Sequence, residues 1–251
     1  MKNVWRKLTN VVCRRAAHLG LIDPDKQSPE EAGLLAGAFS RAGSDGIMVG
    51  GSTGVDPRIT DGTILEIQRA TKLPTILFPA GAACLSPHAD ALFFMSLLNS
   101  RDRRFLIDEQ RRGAPYVKKF GIEAIPMGYI VFEPGMRVGE VGRADLVGRT
   151  DIQRAVEYAL AAELFGMACV YLESGSGAPK PLPGATIKAV RRVLSIPVIV
   201  GGGITTPDAA RKVVEAGADI IVTGTVAERE GEAVLADIIS AVRKASGASG
   251  K

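Results

Sequence analysis

Pro197-Val198-Ile199-Val200-Gly201-Gly202-Gly203-Ile204 and Asp219-Ile220-Ile221-Val222-Thr223-Gly224-Thr225 decide the fold. Each is an unbroken apolar, largely β-branched run that ends at glycine. A half-solvated strand alternates apolar and polar residues, whereas a near-continuous run marks a strand covered on both faces. Between the two runs, Pro207 to Ala216 reads as a helix, so together they form a right-handed parallel β-α-β unit.

The same alternation extends to both ends of the chain. Further strands are expected at His18–Asp23, Gly46–Gly50, Thr75–Phe78, Ala91–Leu98, Ala124–Phe132 and Ala168–Leu172. Ser28-Pro29-Glu30-Glu31 supplies an N-cap serine, a proline at the first helical position and a glutamate three residues after the cap, opening a helix that Gly43 ends. Other helices are expected at Asp61–Thr71, Arg103–Lys119 (broken near Gly113 and Pro115), Asp151–Phe165, Gly184–Leu194 and Ala233–Ala245. Pro79 to Asp90, with Gly81, Pro87 and four alanines, shows little helical pattern. Eight β-α units in 251 residues predict one domain, 1–251, folded as an α/β single (β/α)8 TIM-type barrel lacking the helix after strand three. An open doubly wound sheet would more often carry a glycine fingerprint after its first strand. Here that strand runs into Asp23-Pro24-Asp25-Lys26.

Composition narrows the function classes. Hydrophobic residues are 46% and charged residues 23%, which excludes a disordered chain. Aromatics at 5% argue against stacking platforms for single-stranded nucleic acid. The net charge of +4 is concentrated between Arg101 and Lys119, which reads either as a solvated or oligomer-contacting helix or as an attractor of a polyanionic ligand. The cysteines Cys13, Cys84 and Cys169 lack metal-ligand spacing and read as reduced, mostly buried residues. Neither a signal peptide nor a run of about 18 apolar residues is evident, so a soluble, cytoplasmic protein is expected.

A barrel carries its chemistry at the C-terminal ends of its strands. The glycines of Gly201-Gly202-Gly203 and Thr223-Gly224-Thr225 let backbone N–H groups approach phosphate oxygens, and a short helix over Val226–Glu230 could add its N-terminus. The plainer reading of Gly201–Gly203 is a flexible turn. Tyr171 and Glu173 lie two apart at a strand end and share a face aimed at the barrel mouth. Glu173 there could orient substrate hydroxyls, take a proton, or only bridge a cation at the rim. Asp23, expected on the opposite side of the barrel with Ser52 near it, offers hard oxygen to Mg²⁺, although Asp before Pro is also a turn former. His18 and His88 are isolated and read as structural.

Leu21-Ile22-Asp23-Pro24-Asp25-Lys26, Val49-Gly50-Gly51-Ser52, Tyr171-Leu172-Glu173-Ser174-Gly175-Ser176-Gly177, Val200-Gly201-Gly202-Gly203-Ile204 and Val222-Thr223-Gly224-Thr225 together resemble the geranylgeranylglyceryl phosphate synthase family, in order and spacing over nearly the whole chain. The resemblance implies a Mg²⁺-dependent prenyltransferase joining sn-glycerol 1-phosphate to geranylgeranyl diphosphate, with release of diphosphate. It implies Mg²⁺ on Asp23 and Ser52, and glycerol phosphate on Tyr171, Leu172, Glu173, Ser174, Gly175, Ser176, Gly177, Gly202, Gly203, Gly224 and Thr225. Tyr171 and Glu173 would be the catalytic pair. Some members carry Lys where this chain has Leu21, and many carry Thr in place of Ser52. The Ile-Asp-Pro-Asp-Lys form resembles the subgroup using the twenty-carbon donor, not bacterial relatives with a longer one. Also implied are a homo-oligomer (dimer or hexamer), transient membrane-surface contact and no nucleic-acid partner. The tail would start near Phe78, Ala80, Ala82, Phe93 and Phe94. Alternatives are a sugar-phosphate isomerase or aldolase, or a noncatalytic prenyl-phosphate binder. None of the expected strands carries the Lys a Schiff-base aldolase needs.

Overall fold

A computed structural model describes residues 3–50, 56–229 and 231–248. Eight parallel strands close into a barrel in sequence order, β1 (Ala17–Ile22), β2 (Gly46–Val49), β3 (Thr75–Leu77), β4 (Ala91–Leu97), β5 (Glu123–Val131), β6 (Cys169–Glu173), β7 (Val198–Gly201) and β8 (Ile220–Thr223). The expected strands stand within a residue or two of these bounds. Closure comes from β1 pairing with β8, in the register His18↔Ile221 and Gly20↔Thr223. Alternate strand residues fill the interior, where Leu19, Met48, Met127, Tyr171, Ile199 and Val222 pack together. The intervening residues, such as Ile130, Val170, Leu172 and Val200, face the helices. Strands covered on both sides are why the sequence runs are apolar without alternation.

The helices α1 (Val4–Val12), α2 (Pro29–Ala42), α3 (Pro57–Ala70), α4 (Glu109–Phe120), α5 (Met136–Val141), α6 (Ile152–Leu164), α7 (Gly184–Val193), α8 (Pro207–Glu215), α9 (Thr225–Arg229) and α10 (Gly231–Ala248) complete the fold. The Ser28 hydroxyl accepts from the Glu31 N–H and the Glu31 carboxylate accepts from the Ser28 N–H, closing the expected capping box of α2. Three expectations need correction. The first turn of α1 donates Val4 and Trp5 N–H groups to the Glu123 carboxylate, 2.5 and 3.0 Å, while Val4 and Leu8 plug the barrel floor. That helix was not expected, because its apolar stripe is short and its partner lies more than a hundred residues away. The helix after β4 does not break at Gly113 or Pro115: one π-type turn, Arg104–Asp108, runs straight into α4. Cys84 and Cys169 are buried but Cys13 is exposed.

Between β3 and β4 the described residues contain no α-helix, only a 3-10 turn at Ala82–Cys84, as expected. Among the described residues, no helix is long and apolar enough to cross a membrane.

Candidate active site

One continuous cleft opens at the C-terminal ends of the strands. Its polar end is walled by Asp23 and Lys26 beyond β1, Ser176 beyond β6, and Gly224 and Thr225 beyond β8. Its apolar end is walled by Phe78, Ala80, Ala82 and Leu85 beyond β3, Phe93 and Phe94 on β4, and Phe105, Gly113 and Val117 of the π turn and α4. The intervening strands β5 and β6 contribute Tyr129 and Glu173. The apolar end opens where, among the described residues, no α-helix joins β3 to β4: residues from both faces of β4, Phe93 and Phe94, reach the same space.

Glu173 is buried at the top of β6. Its Oε1 accepts from the Gly175 N–H at 2.6 Å and its Oε2 from the Tyr129 hydroxyl at 3.2 Å. Burial pushes its carboxyl above the ordinary carboxylate range, against the opposing pull of the Gly175 N–H and the Tyr171 and Tyr129 hydroxyls. A carboxylate so placed is a stronger base than one in water, and its lone pairs are already oriented. Burial likewise pushes the Tyr129 and Tyr171 phenols up, and the Glu173 charge adds to it, so both stay protonated as donors.

The polar end is built on close backbone approaches. Gly202 has φ +85°, and a Cβ there would lie 2.7 Å from the Gly175 carbonyl and 2.9 Å from Glu173 Oε1. Only glycine lets the β7 loop lie against the β6 loop and its carboxylate. The Ser176 and Thr225 hydroxyls meet at 3.0 Å, joining the loops beyond β6 and β8. Beneath them His18 is buried, its Nε2 2.9 Å from Thr223 Oγ1 and its Nδ1 2.9 Å from Ser44 Oγ. Burial lowers its pKa to about 4, so it is a neutral bracket under the end of β8. This is the structural role expected of it.

Residues 10–242 match the PcrB family. The chain belongs to the PcrB family. Its relatives there include the geranylgeranylglyceryl phosphate synthase of Thermoplasma volcanium, 46% identical over 97% of this chain and 96% of that protein. The enzyme of the same name from Thermococcus gammatolerans is 51% identical over 91% of this chain and 90% of that protein. A Thermoplasma acidophilum (S)-3-O-geranylgeranylglyceryl phosphate synthase, solved in complex with substrate sn-glycerol-1-phosphate, superposes with a TM-score of 0.94 at 44% identity, covering 97% of this chain and 99% of that one. The family resemblance read from the sequence is borne out.

Against this family background, the placement of each expected site residue can be stated. Glu173, Ser176, Gly224, Thr225 and Asp23 share the cleft. Gly175, Gly177, Gly202 and Gly203 take left-handed backbone at its polar rim. A Cβ on Gly203 would strike the Lys180 backbone, so this residue packs the loop as well as leaving room for a ligand. Leu172 points into the helix layer and can offer a ligand only its backbone. Ser174 is buried, its N–H donating to the Gly201 carbonyl at 3.1 Å. Tyr171 shares the inward face with Glu173 but lies below the cleft, packed on Phe78 and Tyr129 with its hydroxyl over Gly201. Tyr129, which lines the cleft and bonds Glu173, was missed. It stands in register with Tyr171, an inward position that the period-two count along β5 could have identified.

Asp23 requires a correction. It was expected across the barrel mouth, but β1 pairs with β8, and a Cβ on Gly224 would come within 3.1 Å of the Leu21 carbonyl. Asp23 therefore borders the Gly224–Thr225 loop. Its Oδ1 accepts from the Asp25 N–H at 3.1 Å and its Oδ2 lies 3.9 Å from Lys26 Nζ. Ser52 lies outside the described residues. Among the described residues no group of three or more His, Cys, Asp or Glu could hold a metal unaided. Mg²⁺ needs none, since one or two carboxylates plus substrate phosphates are its common donor set. Asp23, a carboxylate on the cleft wall next to the Gly224–Thr225 loop, fits a cation delivered on a diphosphate.

Proposed function

We propose that this chain joins sn-glycerol 1-phosphate to geranylgeranyl diphosphate, forming the ether bond of geranylgeranylglyceryl phosphate and releasing diphosphate. The observation that carries the reading is the single cleft, polar at one end, apolar at the other, with a buried carboxylate on the strands between. An isomerase or aldolase of a small sugar phosphate would have no use for the apolar end. A noncatalytic binder would gain nothing from burying Glu173.

The glycines and hydroxyls beyond β6, β7 and β8 hold the glycerol phosphate, with Ser176 and Thr225 as hydroxyl donors and Gly202, Gly203 and Gly224 as close backbone. Glu173 orients a glycerol hydroxyl and receives its proton as the oxygen bonds to the allylic carbon. The carbon–oxygen bond to diphosphate breaks, and its electron pair leaves with the diphosphate. Phe78 and Tyr129, both on the cleft wall with rings 5.3 Å apart and nearly perpendicular, put aromatic side chains close to the positive charge on that carbon. Tyr171 supports the Tyr129–Glu173 arrangement from below. Asp23 and Ser52 would hold Mg²⁺, which would neutralise charge on the departing diphosphate. The prenyl tail lies along the seam between β3 and β4, from Phe78 toward Gly113 and Val117. Because the donor and product are lipids, the chain works at a membrane surface, as a homo-oligomer in the cytoplasm.

The test is direct. Labelled sn-glycerol 1-phosphate, geranylgeranyl diphosphate and Mg²⁺ are incubated with the chain, and the organic phase is counted. Label in the organic phase matched one to one by released diphosphate, and lost on chelation, is expected. Label remaining aqueous while the donor is intact overturns the reading.

A further inference from the structure

The segment 101–119 carries seven cations against three carboxylates, a surplus of +4, equal to the net charge of the entire chain. Along the π turn and α4 the cations reach farther into solvent than the acids. Arg101, Arg103, Arg104, Arg111, Arg112, Lys118 and Lys119 are all exposed, while Asp102, Asp108 and Glu109 are half-buried. Ile107 and Tyr116 stand among the cations, 52% and 53% exposed. The opposite face of the same segment supplies Phe105, Gly113 and Val117 to the apolar end of the cleft. One helical segment thus walls the lipid-sized groove on one side and shows a basic, apolar-studded face on the other.

We infer that this outer face docks the protein on an anionic lipid bilayer, where the tail can enter the groove without crossing water. The inference rests on the prenyltransferase reading for the source of the tail. Charge complementarity selects the occupant. A second copy meeting this face isologously would oppose cation to cation, because a two-fold contact sets a patch against itself. An anionic surface instead attracts every exposed cation, and Ile107 and Tyr116 reach past the headgroups. Several of these arginines pair with the half-buried acids (Arg104 with Glu109, Arg103 with Asp108), but pairing leaves the surplus of charge unchanged.

The experiment is co-sedimentation of the full chain with vesicles of equal parts phosphatidylglycerol and phosphatidylcholine, or of phosphatidylcholine alone, over a salt series. Binding to the anionic vesicles only, released as salt rises, is expected. Arg111→Gln with Lys118→Gln and Lys119→Gln should weaken partition on the order of 100-fold, about fivefold per cation. Ile107→Ser with Tyr116→Ser should weaken it about tenfold without changing the salt dependence. Both variants should keep wild-type turnover on detergent-dispersed donor. No sedimentation with anionic vesicles, equal sedimentation with both vesicle types, or undiminished sedimentation of both variants overturns the docking face. Absent turnover of the wild type in detergent would count against the reaction instead, so the two failures are distinct.

Discussion

The rim beyond β6, β7 and β8 and the rim beyond β3 and β4 belong to one barrel and are built by opposite means. At the first, loops are pressed so close that Gly202 cannot bear a Cβ, hydroxyls are paired, and a buried histidine braces the strand end from below. At the second, an element is left out. The β3–β4 ladder is short, Ile76 facing Ala91 and Leu77 facing Leu92, and among the described residues no α-helix connects the two strands. Close packing fixes backbone donors for a small, charged ligand. Omission leaves a long apolar trough for a chain whose binding is non-directional. Glu173 stands on the strands between them, so the barrel's closure, more than any single loop, brings the two chemistries together.

The comparison breaks most visibly at Glu173. Glu173→Gln keeps size and one of the two accepting oxygens, but cannot accept a proton. Its kcat should fall by roughly 10²–10⁴-fold, the usual worth of general-base catalysis, with both KM values little changed. A kcat within about threefold of wild type would make the residue a positioning group. The same variant should unfold at a higher temperature at neutral pH. Burial raises the folded-state pKa of Glu173 above its unfolded value, so the wild type loses stability as pH rises through that interval. Below the ordinary carboxylate range the two proteins should melt alike. Melting curves across pH read this out.

A smaller effect separates the braced rim from the open one. His18, buried and neutral, has its pKa lowered to about 4 from 6.5. The folded state binds its proton less tightly than the unfolded state, so its contribution is fully present above pH 6.5 and is lost as pH falls toward 4. The loss should come to about 3 kcal/mol, at 1.36 kcal/mol per pKa unit. Urea titrations of the wild type and His18→Gln between pH 7 and 4 should show the slope flattened in the variant.

The barrel was largely legible in the sequence, since covered strands announce themselves as apolar runs and the Ser28-Pro29-Glu31 cap is local chemistry. So was the missing helix, because alanines between Gly81 and Pro87 show no amphipathic period. Tyr129 was not legible as a site residue. Inside an apolar strand it looks like core, and the partner of its hydroxyl lies 44 residues away. Asp23 was recognised as a rim residue but placed on the wrong side, because its neighbour is fixed by β1–β8 closure and not by chain order.

KM values of two variants test the two-ended cleft most directly. Thr225→Val removes one hydroxyl at the polar end, and a lost hydrogen bond to a charged group should raise KM for sn-glycerol 1-phosphate about 10–100-fold, with the donor's KM unchanged. Gly113→Leu fills the trough, where a Cβ already comes 3.2 Å from Leu85 Cδ1, without costing α4 helical propensity. It should raise KM for geranylgeranyl diphosphate about tenfold, more than for a shorter allylic diphosphate, with the glycerol phosphate KM unchanged. Opposite patterns in the two variants are predicted. Equal weakening of both substrates by either one would contradict a cleft with separate polar and apolar ends.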